Sequence, residues 1–287
     1  NKPQKRHAVL AINLQGGSGF EVWQYNGRDP QPIKEEIRLG DTGILGCKMK
    51  VRNIQEAHTF FKGKGTVILN DPSTDPSDQK TFFMKDPFGN LFQITESNDW
   101  FMNTDHISGG PCGAIIGVTD INRARKLYSD ILGYDRVVFD TTGTFSDLAG
   151  LPGGKENIRR VLLTTSLPFR GPFSRIFGRS MIELISTDRP GKNTYEGRFW
   201  GDPGFIHICF DIKGMDQLKN VCREKGFPFT VDSKESHKGN SFDMGEAAGH
   251  FSYIEDPDGT IIEFVETLKM PGRSEEHTSE LQSRQVI

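Results

Sequence analysis

The sequence lacks most of the features that would place it quickly. Cysteine is scarce: Cys47, Cys112, Cys209 and Cys222 are the only four in 287 residues, and no two form a CxxC pair. That spacing excludes a zinc knuckle or a dense disulfide framework. Cys47 and Cys209 fall within apolar strand patterns and read as buried free thiols, which fits a reducing, cytoplasmic setting. No apolar run approaches the ~18 residues of a membrane-spanning helix, so no membrane partner is expected. No sign of charge dominates either. The formal charge is −3 and the basic residues are dispersed, which leaves nucleic acid without a footprint. The chain begins at Asn1 rather than methionine, so a targeting peptide lost upstream would leave localisation open.

What is present is length and an internal repeat. A chain of 287 residues suffices for one large or two ordinary domains. GDTGILGCKMKV, from Gly40 to Val51, aligns without gaps on GDPGFIHICFDI, from Gly201 to Ile212. KDPFGNLFQI, from Lys85 to Ile94, aligns on EDPDGTIIEF, from Glu255 to Phe264. The segment around Glu21, GFEVWQYNGRDP, likewise matches SMIELISTDRP around Glu183. The chain reads as a duplication whose first copy is missing its beginning. Arg273 to Ser283, RSEEHTSELQS, resembles the translation of a sequencing-library adapter, so residues past about Pro271 are set aside as non-native or disordered.

Each copy holds two smaller units of strand, helix and further strands. In IIGVTDINRARKLYSDILGY, Asp120 is placed to cap a helix and Gly133 to stop it. Ala124, Leu127, Tyr128, Ile131 and Leu132 give that helix its apolar stripe. Met215, Leu218, Val221 and Cys222 repeat the pattern before Gly226, and Ile54, Ala57, Phe60 and Phe61 before Gly63. Asp86-Pro87 and Asp256-Pro257, each followed by glycine, carry hairpin chemistry. In FIHICFDI the alternation puts Phe205, His207, Cys209 and Asp211 on one face. The other face is wholly apolar and should meet the helices, which leaves His207 towards an open, concave surface. Single polar residues inside apolar strands are costly to bury without a partner, which marks His207, Glu183 and Glu263.

These motifs, GVTDINRARKLYSDILGY, GFIHICFDI and YIEDPDGTIIEF, resemble the vicinal oxygen chelate superfamily over roughly residues 6 to 268. That superfamily includes glyoxalase I, extradiol dioxygenases, and bleomycin and fosfomycin resistance proteins. The resemblance implies an α+β fold of tandem βαβββ units that pair into two half-barrel domains. The expected division is a truncated, structural domain at 1–98, a linker at 99–110, a metal-bearing domain at 111–270 and a tail at 271–287. It further implies one divalent metal, held by the first and last strands of two paired units. Carried onto the second copy, the ligand positions are Gly113, Glu183, His207 and Glu263. Position 113 departs from the pattern, in which His or Gln is usual. The first copy offers Glu21, Gly46 and Gln93, a weaker set.

The expected metal ligands are therefore Glu183, His207 and Glu263, a mostly oxygen set suited to Fe, Mn, Zn or Mg. The expected catalytic residues are Glu183, Tyr253 and His250. Tyr253 depends on hairpin register: a four-residue loop sets Ser252 opposite Glu263 with His250 on the same face, whereas a five-residue loop sets Tyr253 there. A single strand histidine disfavours an extradiol dioxygenase, which needs two, and favours a lyase or isomerase of the glyoxalase type. The partner is then a small oxygenated substrate. The alternative is a metal-free small-molecule-binding protein of the resistance type. Self-association into a homodimer stays open. SLPFRGPFSRIFGRS, Ser166 to Ser180, with its alternating Phe and Arg, is a candidate lid, and Glu246 and His250 candidate residues of the pocket mouth.

Overall fold

The structure is a computed structural model that describes residues 5–33, 35–167, 171–189, 191–236, 238–239, 241–243 and 248–269. The adapter-like tail, Glu246, Phe169 and Arg170 lie outside these described residues. In chain order the strands begin with β1 (Arg6–Ile12), β2 (Gly19–Tyr25), β3 (Gly43–Val51), β4 (Val67–Ile68), β5 (Ser73–Thr74), β6 (Lys80–Lys85) and β7 (Leu91–Glu96). The second copy supplies β8 (Ser108–Gly117), β9 (Arg136–Gly143), β10 (Ile158–Thr164), β11 (Met181–Thr187) and β12 (His207–Asp211). It closes with β13 (Val231–Asp232), β14 (Phe242–Asp243), β15 (Ala248–Glu255) and β16 (Ile261–Lys269). Helices α1 (Ile54–Gly63), α2 (Ile121–Tyr128) and α4 (Met215–Glu224) are the amphipathic ones; α3 (Ser174–Phe177) and α5 (Ser233–Ser236) are single turns. The fold is α+β. No helix among the described residues is long and apolar enough to cross a membrane.

Contacts divide the chain into two units, residues 1–167, 176–207 and 256–260, and residues 168–175, 208–255 and 261–287. The first unit is built on a nine-stranded sheet in the order β4-β6-β7-β3-β8-β11-β10-β9, with β5 beside β6. Strand β3 runs parallel to β7 and antiparallel to β8, and β8 runs parallel to β11. This corrects the expected division. Residues 108–117 are no domain boundary but a central strand that joins the second half of the first copy to the first half of the second. Phe82, Ile94 and Val51 pack under Ile54 and Ala57 of α1, and Leu45, Phe83, Ile115 and Ile185 form a second core cluster. The β1–β2 hairpin belongs to this unit as a separate two-stranded sheet.

The second unit is built on a five-stranded sheet in the order β12-β16-β15-β13, with β14 beside β15. Phe210 and Phe229 pack on Phe264.

Local chemistry repeats as the duplication predicts. Asp120 caps α2 by accepting from the N–H groups of Asn122 and Arg123, and Gly226 adopts a positive φ of 85° after α4. Helix α1 ends at Gly63 itself, with the left-handed turn at Gly65. Asp86 accepts from Phe88 and Asn90 N–H, and Asp256 from Asp258 and Thr260 N–H, so both hairpins close on an aspartate. Glu96 accepts from Ile54 N–H at the start of α1, and Glu266 from Gly214 and Met215 N–H at the start of α4. A carboxylate from the last strand of each copy thus satisfies N–H groups that the helix leaves unpaired.

Candidate metal centre

Glu183 sits in the first unit's sheet, fully buried and already engaged. Its Oε1 accepts from Arg160 Nε at 2.7 Å, and its Oε2 lies 2.5 Å from Lys48 Nζ. Arg160 Nη1 donates to both oxygens of Asp147, at 2.8 and 2.9 Å, and Lys48 Nζ also donates to Gln93 Oε1. Lys48, Gln93, Asp147, Arg160 and Glu183 are each at most 2% exposed. The rings of Phe145 and Phe139 stand 4.8 and 5.6 Å from the guanidinium. Burial would raise the Glu183 carboxyl, but the Arg160 and Lys48 charges outweigh it and hold it down at about 2. This corrects the expectation that Glu183 is a metal ligand or a catalytic group. Two cations of its own unit occupy both its oxygens.

Gly113 lies in the same region, in register with Lys48 of β3 and Met181 of β11. A Cβ there would meet the Met181 carbonyl oxygen at 2.2 Å, so the close approach of β11 forbids a ligating side chain.

Glu21 behaves differently. It projects from β2, where Leu10 is its cross-strand partner, and its Oε2 lies 3.5 Å from His207 Nε2 in the same unit. Burial tends to raise its carboxyl, yet His207 and the nearby Trp23 indole bring it below the usual range. Two indoles wall this pair: Trp23 and Trp200 have ring centroids 4.9 Å apart, at 5.5 and 5.9 Å from the His207 ring. The Arg6 guanidinium covers the Trp23 ring at 3.9 Å.

In the second unit Tyr253 stands directly opposite Glu263, and its hydroxyl donates to Glu263 Oε1 at 2.6 Å. Glu255 pairs with Ile261, so the loop holds five residues, and of the two registers considered this is the one that aligns tyrosine with glutamate. His250 is displaced from that site. It pairs with Glu266, an odd number of residues along the strand from Tyr253, and so lies on the opposite face. That face also carries Ser252, whose hydroxyl reaches Met215 of α4, and the helix-capping Glu266. His250 is 8% exposed there, so the expectation of a catalytic His250 is corrected. Cys209 is exposed rather than buried, which corrects the expectation of a buried thiol there. Asp211 accepts from Phe173 N–H at 2.5 Å, which ties the Phe- and Arg-rich loop to β12 of its unit; burial pushes its carboxyl up to about 6.

The residue that the structure sets at 3.5 Å from His207 is Glu21, whereas Glu183 belongs to a different cluster.

Residues 114–244 match the profile of the Glyoxalase/Bleomycin resistance protein/Dioxygenase superfamily. Among solved structures the chain is similar to glyoxalase I from Zea mays, with a TM-score of 0.52 at 15% identity over 93% of this chain and 76% of that one. It is also similar to a candidate dioxygenase from Bacillus subtilis, with a TM-score of 0.54 at 14% identity over 98% and 84% of the two chains. At these identities the likeness is one of fold. No curated protein sequence matches.

Lys48, Arg160, Trp23 and Trp200 were not singled out from the sequence. The first two had a signal. Lys48 and Lys50 alternate with apolar residues in CKMKV, and Arg160 precedes VLL in a strand that is otherwise buried. A cation on the inward face of a strand demands an anion, and Glu183 was the anion in reach.

Proposed function

We propose that Glu21 and His207 of the first unit hold one divalent metal ion, Fe, Mn, Zn or Mg, and that the protein is a lyase or isomerase of the glyoxalase type acting on a small oxygenated substrate. The Glu21–His207 contact of 3.5 Å carries this reading, because it replaces the spent Glu183 with a carboxylate facing the histidine. The donors fit such an ion: one imidazole and one carboxylate, which leave open positions for substrate oxygens. When bound, the metal would polarise those oxygens as a Lewis acid. The chain's own groups have separable tasks. In the second unit Tyr253 donates to Glu263 and so orients that carboxylate. Glu21, more exposed than Glu263 and held ionised beside His207, is the group placed to take a proton from substrate. Trp23 and Trp200 supply an apolar wall beside the imidazole that limits water.

A second reading is a metal-free binding protein of the resistance type. The same Glu21–His207 contact favours it, since an ion pair satisfies both groups without metal, and the paired indoles would grip a flat ligand. Calorimetric titration of chelator-treated protein with Mn²⁺ and Zn²⁺ separates the two. Saturable binding in the wild type that disappears in His207→Ala supports the enzyme. No binding in the wild type leaves the binding protein.

A further inference from the structure

One cation of the first unit stands beside the Glu21–His207 pair with most of its donors unused. The β1–β2 register sets Arg6 opposite Tyr25, Ala8 opposite Trp23 and Leu10 opposite Glu21. These six side chains therefore share one face of the hairpin. Ala8 is too small to cover the indole opposite it. The Arg6 side chain reaches diagonally across and lays its guanidinium 3.9 Å from the Trp23 ring centroid. The same indole has the His207 ring at 5.5 Å. The loop after β11 holds this wall in place. Asp202, 4% exposed, accepts from Arg28 Nη2 at 2.5 Å, Gln31 N–H at 2.7 Å and Phe199 N–H at 2.9 Å, which fixes the chain on both sides of Trp200. Gly201, at a φ of 94°, lets Tyr25 close in: a Cβ there would meet the Tyr25 ring at 2.5 Å.

Arg6 itself is exposed. Among the described residues its guanidinium makes one hydrogen bond, from Nη1 to the Tyr25 hydroxyl at 3.4 Å, and no ion pair. Glu21 faces His207 instead, and Arg6 acts on that carboxylate only at a distance. A guanidinium held flat on an indole keeps its fork of N–H donors in one plane, the geometry that takes a planar oxyanion in two parallel bonds. No second cation stacks on Trp23 among the described residues. The position therefore matches one negative charge, that of a carboxylate rather than a phosphate dianion. We infer that Arg6 determines specificity at the Glu21–His207 site proposed above, by binding a carboxylate that the substrate carries beside its reacting oxygens. This takes from that proposal only the place where substrate sits, with or without an ion.

The test follows tryptophan fluorescence, which Trp23 and Trp200 report from the site. Phenylglyoxylate or its methyl ester is titrated into wild type, Arg6→Lys and Arg6→Gln, with thermal unfolding to check that each is folded. Phenylglyoxylate should bind the wild type saturably and Arg6→Gln about 10–100-fold more weakly. Arg6→Lys, which keeps the charge without the fork, should fall in between. The methyl ester, with the same vicinal oxygens and no charge, should not distinguish the three proteins. Equal affinity for the acid in wild type and Arg6→Gln overturns the inference. So does no binding of the acid to wild type, or phenyl phosphate bound more tightly than phenylglyoxylate. Each titration is repeated after chelator treatment. An Arg6 difference that persists there, while the Mn²⁺ and Zn²⁺ titration above finds no binding, would remove the ion and keep the carboxylate. Metal bound with no Arg6 difference would do the reverse.

Discussion

The two repeat-related clusters differ in how they are satisfied. Around Glu183 every charge is neutralised from within: Arg160 and Lys48 face Glu183, Asp147 faces Arg160, and all are cut off from water. Around His207 the surroundings are wetter, with its partner Glu21 at 32% side-chain exposure. One ancestral arrangement has thus been used in two ways. A cluster that closes its own charge balance contributes to stability and excludes ligands. One that pairs a half-exposed carboxylate with a histidine leaves Glu21 within reach of solvent, where a ligand can meet it.

The largest expected effect breaks the closed cluster. Lys48→Met removes one partner of a buried ion pair and should destabilise the protein by about 3–5 kcal/mol in denaturant unfolding. The double change Lys48→Met/Glu183→Gln removes the stranded charge and should recover part of that loss. Equal destabilisation by both variants would show that the ion pair is not what Lys48 contributes.

Acid provides the next test. The folded pKa of Glu183, about 2, lies below its ordinary 4.5, so its contribution to stability is fully present above about pH 4.5. That contribution is lost as pH falls towards about 2, because protonation first becomes easier in the unfolded chain. Unfolding free energy should therefore drop across this window in the wild type. In Glu183→Gln the drop should be shallower, and identical slopes would remove Glu183 from the account.

Smaller effects come from single hydrogen bonds. Tyr253→Phe deletes the hydroxyl that donates to Glu263 and should lower unfolding free energy by about 1.5–3 kcal/mol. Unchanged stability would show that this 2.6 Å bond contributes nothing net to the fold. Smallest are the paired caps: Glu96→Ala and Glu266→Ala should each cost about 1 kcal/mol, as equivalent positions of the repeat.

Much of the local structure was legible because it obeys short-range rules. The Asp120 cap and the Asp86 and Asp256 turns follow from spacing within a few residues, whereas the opposition of Tyr253 and Glu263 needed the loop length that the structure supplies. Which units share a sheet is set by the long-range pairing of β3 with β8, and nothing local in either strand encodes it. The error at Glu183 followed from that: on β11, beside β8 and β10, it falls among Lys48, Gln93 and Arg160. His250 was misplaced for a simpler reason. Strand alternation permits only one of Tyr253 and His250 to face Glu263, and the register that seats the tyrosine turns the histidine towards α4.

The claim at the centre is that the open cluster, not the closed one, is built for an ion. Elemental analysis of purified wild-type, Glu21→Ala and Glu183→Gln proteins addresses it directly. Divalent metal should be present in the wild type, retained in Glu183→Gln and lost in Glu21→Ala. Metal retained in Glu21→Ala and lost in Glu183→Gln would contradict it.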